Sequence, residues 1–220
     1  MQKRMELATN EERGKGKFLV LEGVDGSGIS TQAARLQSWL QEKTGTKVLL
    51  TKEPSDGPVG MLIRQALTGR VQGFDSETLA LLFAADRIDH LAHRVLPAVR
   101  NGHHVVCDRY LLSSLAYQGQ TLTQQWIKEI NAKAIEPDLT LFIRVDPGIT
   151  LSRISNNRFQ VDLFERENIL REVLHNYDRL ISEQMAKGGN IVEIDGSRPL
   201  EEVTQNIRST VESYFFGNNF

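Results

Sequence analysis

The sequence reads as an α/β protein built on a parallel sheet, and three observations carry that reading. Five short apolar runs, Phe18–Glu22, Val48–Lys52, His104–Asp108, Leu139–Val145 and Ile191–Asp195, are rich in Val, Ile, Leu and Phe with little polar alternation. Strands buried on both faces have that composition. Helical segments separate the runs, and parallel strands joined through helices imply right-handed crossovers and a three-layer α/β/α stack. The 220 residues hold no internal repeat, low-complexity tract or Pro-rich linker. At about 150 residues per domain, one domain over 17–220 absorbs the chain.

Composition narrows the function classes. With 26 Lys plus Arg against 28 Asp plus Glu, the net charge is −2, which argues against a general nucleic-acid binder. No run of about 18 apolar residues is present, so no membrane partner is expected. Residues 1–16 are charged and without periodicity; they read as a loose tail rather than a secretory leader. A lone cysteine, Cys107, points to a reducing, cytoplasmic setting.

The elements follow in order. The first strand runs into a glycine-rich segment and then a helix over 30–43. After the second strand, helices are expected at 58–68 and 76–100. The third strand ends on Asp108-Arg109-Tyr110. Helices at 123–134 and 147–154 flank the fourth strand. The helix at 164–187 carries its stripe on Leu170, Val173, Leu174, Tyr177, Leu180, Ile181 and Met185. A last helix spans 199–215, with Pro199 suited to a first turn.

Two of these junctions carry chemistry. Gly23-Val24-Asp25-Gly26-Ser27-Gly28-Ile29-Ser30-Thr31 matches the P-loop pattern G-x-x-x-x-G-K-[ST] except that Ile29 replaces the lysine. In such a loop successive backbone N–H groups point inward at phosphate, and the following helix N-terminus adds partial positive charge. Ser30 stands where a hydroxyl ligates Mg²⁺. Asp108, at the C-terminal end of a strand, can hold the ion or its waters, and Arg109 can contact phosphate oxygens. A fixed donor in an active site is worth roughly 2.7–4 kcal/mol, so the missing lysine should be felt more in turnover than in binding.

Taken together, Glu22 to Gly28, Thr51-Lys52-Glu53-Pro54, Leu82 to Arg87, Asp108-Arg109-Tyr110, Ser113 to Gly119 and Pro137 to Leu141 resemble, in their order, the motifs of thymidylate kinases. The resemblance covers residues 18 to about 212. It implies a five-stranded P-loop fold, a homodimeric assembly in the family pattern, and transfer of the ATP γ-phosphoryl group to dTMP with Mg²⁺. It also implies roles. Phe83 stacks on thymine, and Arg87, one helical turn later, bonds a base carbonyl. Asp25 lies near the sugar and phosphate of dTMP. Arg109 contacts phosphate, and Ser114, Tyr117 and Gln118 line the acceptor pocket. Glu53-Pro54 begins the loop over the monophosphate.

A lid is expected at about 153–165. Family members with Gly at position 26 take a catalytic arginine from the lid, which makes Arg158 the first candidate and Arg153 the second. Asp162 and Glu165 match the family's acidic pair, while Leu163 stands where an arginine is common. Two rival readings stay open at this point: a nucleotide-binding protein with little turnover, and a kinase for another nucleoside monophosphate. His90, His93, His103 and His104 lack metal spacing and read as solvated or capping residues. Cys107 reads as packing, and Phe215, Phe216 and Phe220 as a docked aromatic tail.

Overall fold

The computed structural model describes residues 16–155 and 163–217. Five strands, β1 (Phe18–Glu22), β2 (Val48–Lys52), β3 (His104–Asp108), β4 (Leu139–Arg144) and β5 (Ile191–Asp195), form one sheet. Every pairing is parallel and the order is β2-β3-β1-β4-β5. The strands begin and end as the sequence predicts, except that β4 stops one residue short of Val145.

Both faces of β1 are apolar because each faces a helical layer. Leu19 and Leu21 join the core beneath α1 (Ile29–Thr44) and α9 (Leu200–Phe216). Phe18 and Val20 turn the other way, towards Leu91, Val95 and Val99. That second face is completed by α5 (Leu111–Tyr117), α6 (Gln124–Ile130) and α8 (Leu163–Ala186), packed around Phe142 and Tyr177. The remaining helices are α2 (Pro58–Leu67), α3 (Ser76–His90), α4 (Leu96–Arg100) and α7 (Pro147–Ser155).

Four differences from the sequence reading have local causes. The expected helix over 76–100 is α3 and α4 joined by a π-helical turn, Leu91–Val95. Pro97 cannot donate to the turn before it and would crowd the carbonyl of His93, so the helix widens there. The helix expected at 123–134 ends at Ile130, where Asn131 caps it and turns its amide into the core. Pro199 is the N-cap residue, just before the helix rather than in its first turn. Helix α5, which the sequence did not reveal, is seven residues long.

The histidines also differ from expectation. His90 is buried between Glu53 Oε1, 3.1 Å from its Nδ1, and Thr51 Oγ1, 2.7 Å from its Nε2. His104 is buried too, and accepts from the Lys17 N–H at 3.1 Å. Burial, reinforced by Lys17, pushes its pKa down. His93 is exposed and paired with Asp89, as a surface histidine would be. Cys107 is fully buried, and burial pushes its thiol pKa up. Phe215 docks edge-on against His104, at 5.1 Å between centroids; Phe220 lies outside the described residues.

Candidate active site

A cleft of about 790 Å³ opens at the C-terminal ends of β1, β2 and β3, where ligands of open α/β sheets bind. Its floor is the glycine-rich segment between β1 and α1. Gly26 (φ 80°) and Gly28 (φ 91°) hold the left-handed backbone that lets the loop curl. Ser30 Oγ donates to Asp108 Oδ2 at 2.5 Å, which brings the hydroxyl and the strand-end carboxylate together in the cleft. Ile29 is 4 % exposed and packs with Leu36, Val106 and Ile143, so its side chain belongs to the core as well as to the cleft wall.

Arg109 has a left-handed backbone, φ 69°, unlike every other non-glycine residue described. Its guanidinium is held at several points. Nη1 donates to the Gly23 carbonyl at 2.9 Å and to Ser113 Oγ at 3.1 Å. Nη2 pairs with Asp25 at 2.8 Å, and the group stacks over Tyr117 at 5.2 Å. Tyr117 in turn accepts from the Asp25 N–H at 3.0 Å. Burial pushes its phenol up to about 12, against the pull of Arg109.

The opposite wall is a buried polar network. Arg87 is 1 % exposed. It lies 2.8 Å from Glu53 Oε2, donates to Ser114 Oγ at 3.0 Å and to Asn131 Oδ1, and stacks over Tyr110. Its Nε has no hydrogen-bond partner among the described residues. The loop after β2 is fixed from α3: the Ser55 N–H and hydroxyl donate to the two oxygens of Asp86 at 2.7 and 2.6 Å. Gly60 lets α2 come close to that loop, since a Cβ there would meet the Ser55 carbonyl at 2.1 Å.

The cleft therefore gathers Val24 to Thr31, Glu53, Pro54, Phe83, Arg87, Asp108, Arg109, Ser114, Tyr117 and Gln118. Gly23 sits beneath it and offers its carbonyl to Arg109. Arg153 stands apart from the lining and donates to the Gly196 carbonyl at 3.1 Å. Arg158 and Asp162 lie outside the described residues, and so do the side chains of Leu163 and Glu165.

The sequence that builds this cleft has relatives among known proteins. The family model for thymidylate kinase matches residues 21–207. The chain belongs to the thymidylate kinase family. A probable thymidylate kinase of Pyrococcus abyssi is 39% identical over 92% of this chain and 99% of its own length. One of Pyrococcus horikoshii is 41% identical over 76% of this chain and 83% of its own. A thymidylate kinase of Caldicellulosiruptor saccharolyticus is 36% identical, covering 90% and 97%.

Within this family framework, two cleft cations were not singled out by the sequence. Lys52 stands in register with Asp108 across β2 and β3. Arg64, on α2, donates to the Pro54 carbonyl at 2.7 Å, and both cations pair with Asp56, at 3.4 and 3.1 Å. Lys52 lay inside a quoted motif, so its place at a strand end was the available signal. Arg64 gave none, because it reaches the cleft only through the packing of α2.

Proposed function

We propose that the protein transfers the γ-phosphoryl group of ATP to dTMP. The observation that carries this is the family match laid over a cleft with two unlike walls: a phosphate-loop floor, and a buried arginine with a spare donor beside Phe83. Phe83 offers a face for a pyrimidine ring, and the Arg87 Nε fits a base carbonyl. Ser114, Tyr117, Gln118 and the Glu53-Pro54 segment close the acceptor side. Glu53 does so by fixing Arg87 and His90, because its carboxylate is engaged with both.

On the donor side, the backbone of Gly23 to Thr31 would cradle the ATP phosphates. Ser30 Oγ and Asp108, 2.5 Å apart, are hard oxygen donors and fit Mg²⁺. No group of three or more His, Cys, Asp or Glu suited to a metal occurs among the described residues. Mg²⁺ commonly takes one carboxylate and leaves its other positions to phosphate and water. Held by Ser30 and Asp108, Mg²⁺ would supply charge neutralisation at the phosphates. Arg109 aligns the acceptor phosphate, while Asp25 and Tyr117 hold Arg109 in place. The acceptor is already an anion, so no general base is required; the work is alignment and charge neutralisation. Arg158, from the lid at about 153–165, is the candidate for charge on the transferring group, with Arg153 second.

A homodimer in a cytoplasmic setting, with one kinase domain over 17–220, belongs to the same reading. Exposed Met61 on α2 and Leu81 on α3 supply apolar surface for a second copy. No described helix is long and apolar enough to cross a membrane.

The test is dTDP formation from ATP, Mg²⁺ and a panel of monophosphates. We expect dTMP to exceed dUMP in kcat/KM by about 1–3 kcal/mol, the worth of one methyl in an apolar pocket. A purine monophosphate preferred over dTMP overturns the base assignment. ATP binding without any turnover would favour the reading as a nucleotide-binding protein.

A further inference from the structure

We propose that Glu22 is a positioning residue: its buried carboxylate, acting through Ser113, orients the Arg109 guanidinium towards the acceptor phosphate. The inference rests on the acceptor-site reading above, and Glu22 itself does not line the cleft.

Glu22 ends β1 and is 0 % exposed. Oε1 accepts from the Tyr110 N–H at 2.9 Å and the Ser113 N–H at 3.2 Å. Oε2 accepts from Ser113 Oγ at 2.6 Å and from Tyr177 Oη at 3.0 Å. Four donors and no acceptor surround the group, which is the environment of an ionised carboxylate. Burial raises its pKa, while Ser113, Arg109 and Tyr177 pull it back.

The consequence passes through one hydroxyl proton. A serine hydroxyl has a single proton and two lone pairs. Because Glu22 takes that proton, Ser113 Oγ presents a lone pair to Arg109 Nη1 at 3.1 Å. Replace Glu22 with glutamine and one oxygen becomes an NH₂ donor. It cannot face the two backbone N–H groups, which are fixed donors, so it must face the hydroxyls. Ser113 Oγ then accepts from the amide and its proton turns to Tyr177 Oη, 2.8 Å away. Its second lone pair still meets Arg109, but the oxygen is no longer polarised by donating to a carboxylate and the negative charge near Arg109 is gone. One of the two Nη1 contacts that fix the direction of Arg109 is thereby weakened.

The experiment compares dTMP with thymidine, which lacks the phosphate, as calorimetric ligands for the full chain. In Glu22→Gln we expect dTMP affinity to fall roughly threefold to fivefold, less than the worth of a whole hydrogen bond to a charged group. Thymidine affinity should stay within twofold. Ser113→Ala, which removes the contact, should show a selective loss of roughly tenfold, and the double variant no more than Ser113→Ala alone, because both act on the same relay. Tyr177→Phe removes a donor to Glu22 but leaves the Ser113 proton in place; it should lower the melting temperature and change dTMP affinity less than twofold. Equal loss for both ligands, additive losses, or unchanged dTMP affinity in Ser113→Ala overturns the inference and leaves the acceptor assignment standing. Wild-type protein that binds neither ligand overturns both.

Discussion

The two walls of the cleft treat charge in opposite ways. On the acceptor wall, Arg87 and His90 are buried and both engage Glu53, while buried Asp86 takes the two donors of Ser55. On the phosphate side, Asp25, Ser30, Lys52 and Arg64 meet solvent, and their contacts are carboxylate–cation or hydroxyl–carboxylate pairs near the surface. Buried charges must be satisfied within the fold, or folding carries the cost. Surface charges cost little when unpaired and can exchange partners. The acceptor wall is thus rigid before substrate arrives, whereas the phosphate wall holds cations that a ligand can recruit.

The comparison breaks most sharply at Arg109 and Asp108. Arg109→Ala and Asp108→Ala should each lower kcat by about two to three orders of magnitude, the range for losing one well-placed electrostatic group. Melting should stay near wild type. A large fall in melting temperature with turnover retained would show these groups to be structural.

The acceptor wall should give the reverse pattern. Arg87→Met strands Glu53 without its cation in a buried site, and a broken buried pair costs about 3–5 kcal/mol of stability. Urea titration measures this directly. An unaffected denaturation midpoint would mean that the wall is not held by charge.

The smallest effect belongs to Ile29. Ile29→Lys removes a buried apolar side chain, worth roughly 1.5–3 kcal/mol at full burial; the lysine stem can recover part of it by reaching into the cleft. We expect a loss of about 1 kcal/mol, with kcat rising more in an Arg158→Ala background than in wild type. Equal gains in both backgrounds would exclude Arg158 as the cation that stands in for the missing lysine.

Much of this was legible in the sequence, for identifiable reasons. The five strands are apolar on both faces, and that signal is local. The P-loop and Asp108-Arg109-Tyr110 are short motifs at strand ends, so their meeting followed from the parallel order. Helix α5 was not legible. Seven residues are too few for periodicity, and its start is fixed by Glu22, a partner 88 residues from Tyr110. His90 misled for the same reason: its neighbours in sequence suggest a surface helix, whereas its partners Glu53 and Thr51 come from another element. Burial of a polar side chain is a property of the assembled walls, and single-segment patterns do not encode it.

The left-handed backbone at Arg109 bears on engineering. A non-glycine residue in that region carries strain of order 1 kcal/mol. A search for thermostable variants that scores backbone comfort alone would therefore favour glycine at 109. The variant that relaxes the chain would be the one that empties the phosphate site. With Arg109 in the proposed phosphate role, backbone comfort and turnover would select opposite residues at a single position, and a stabilised form would have to find its gains elsewhere.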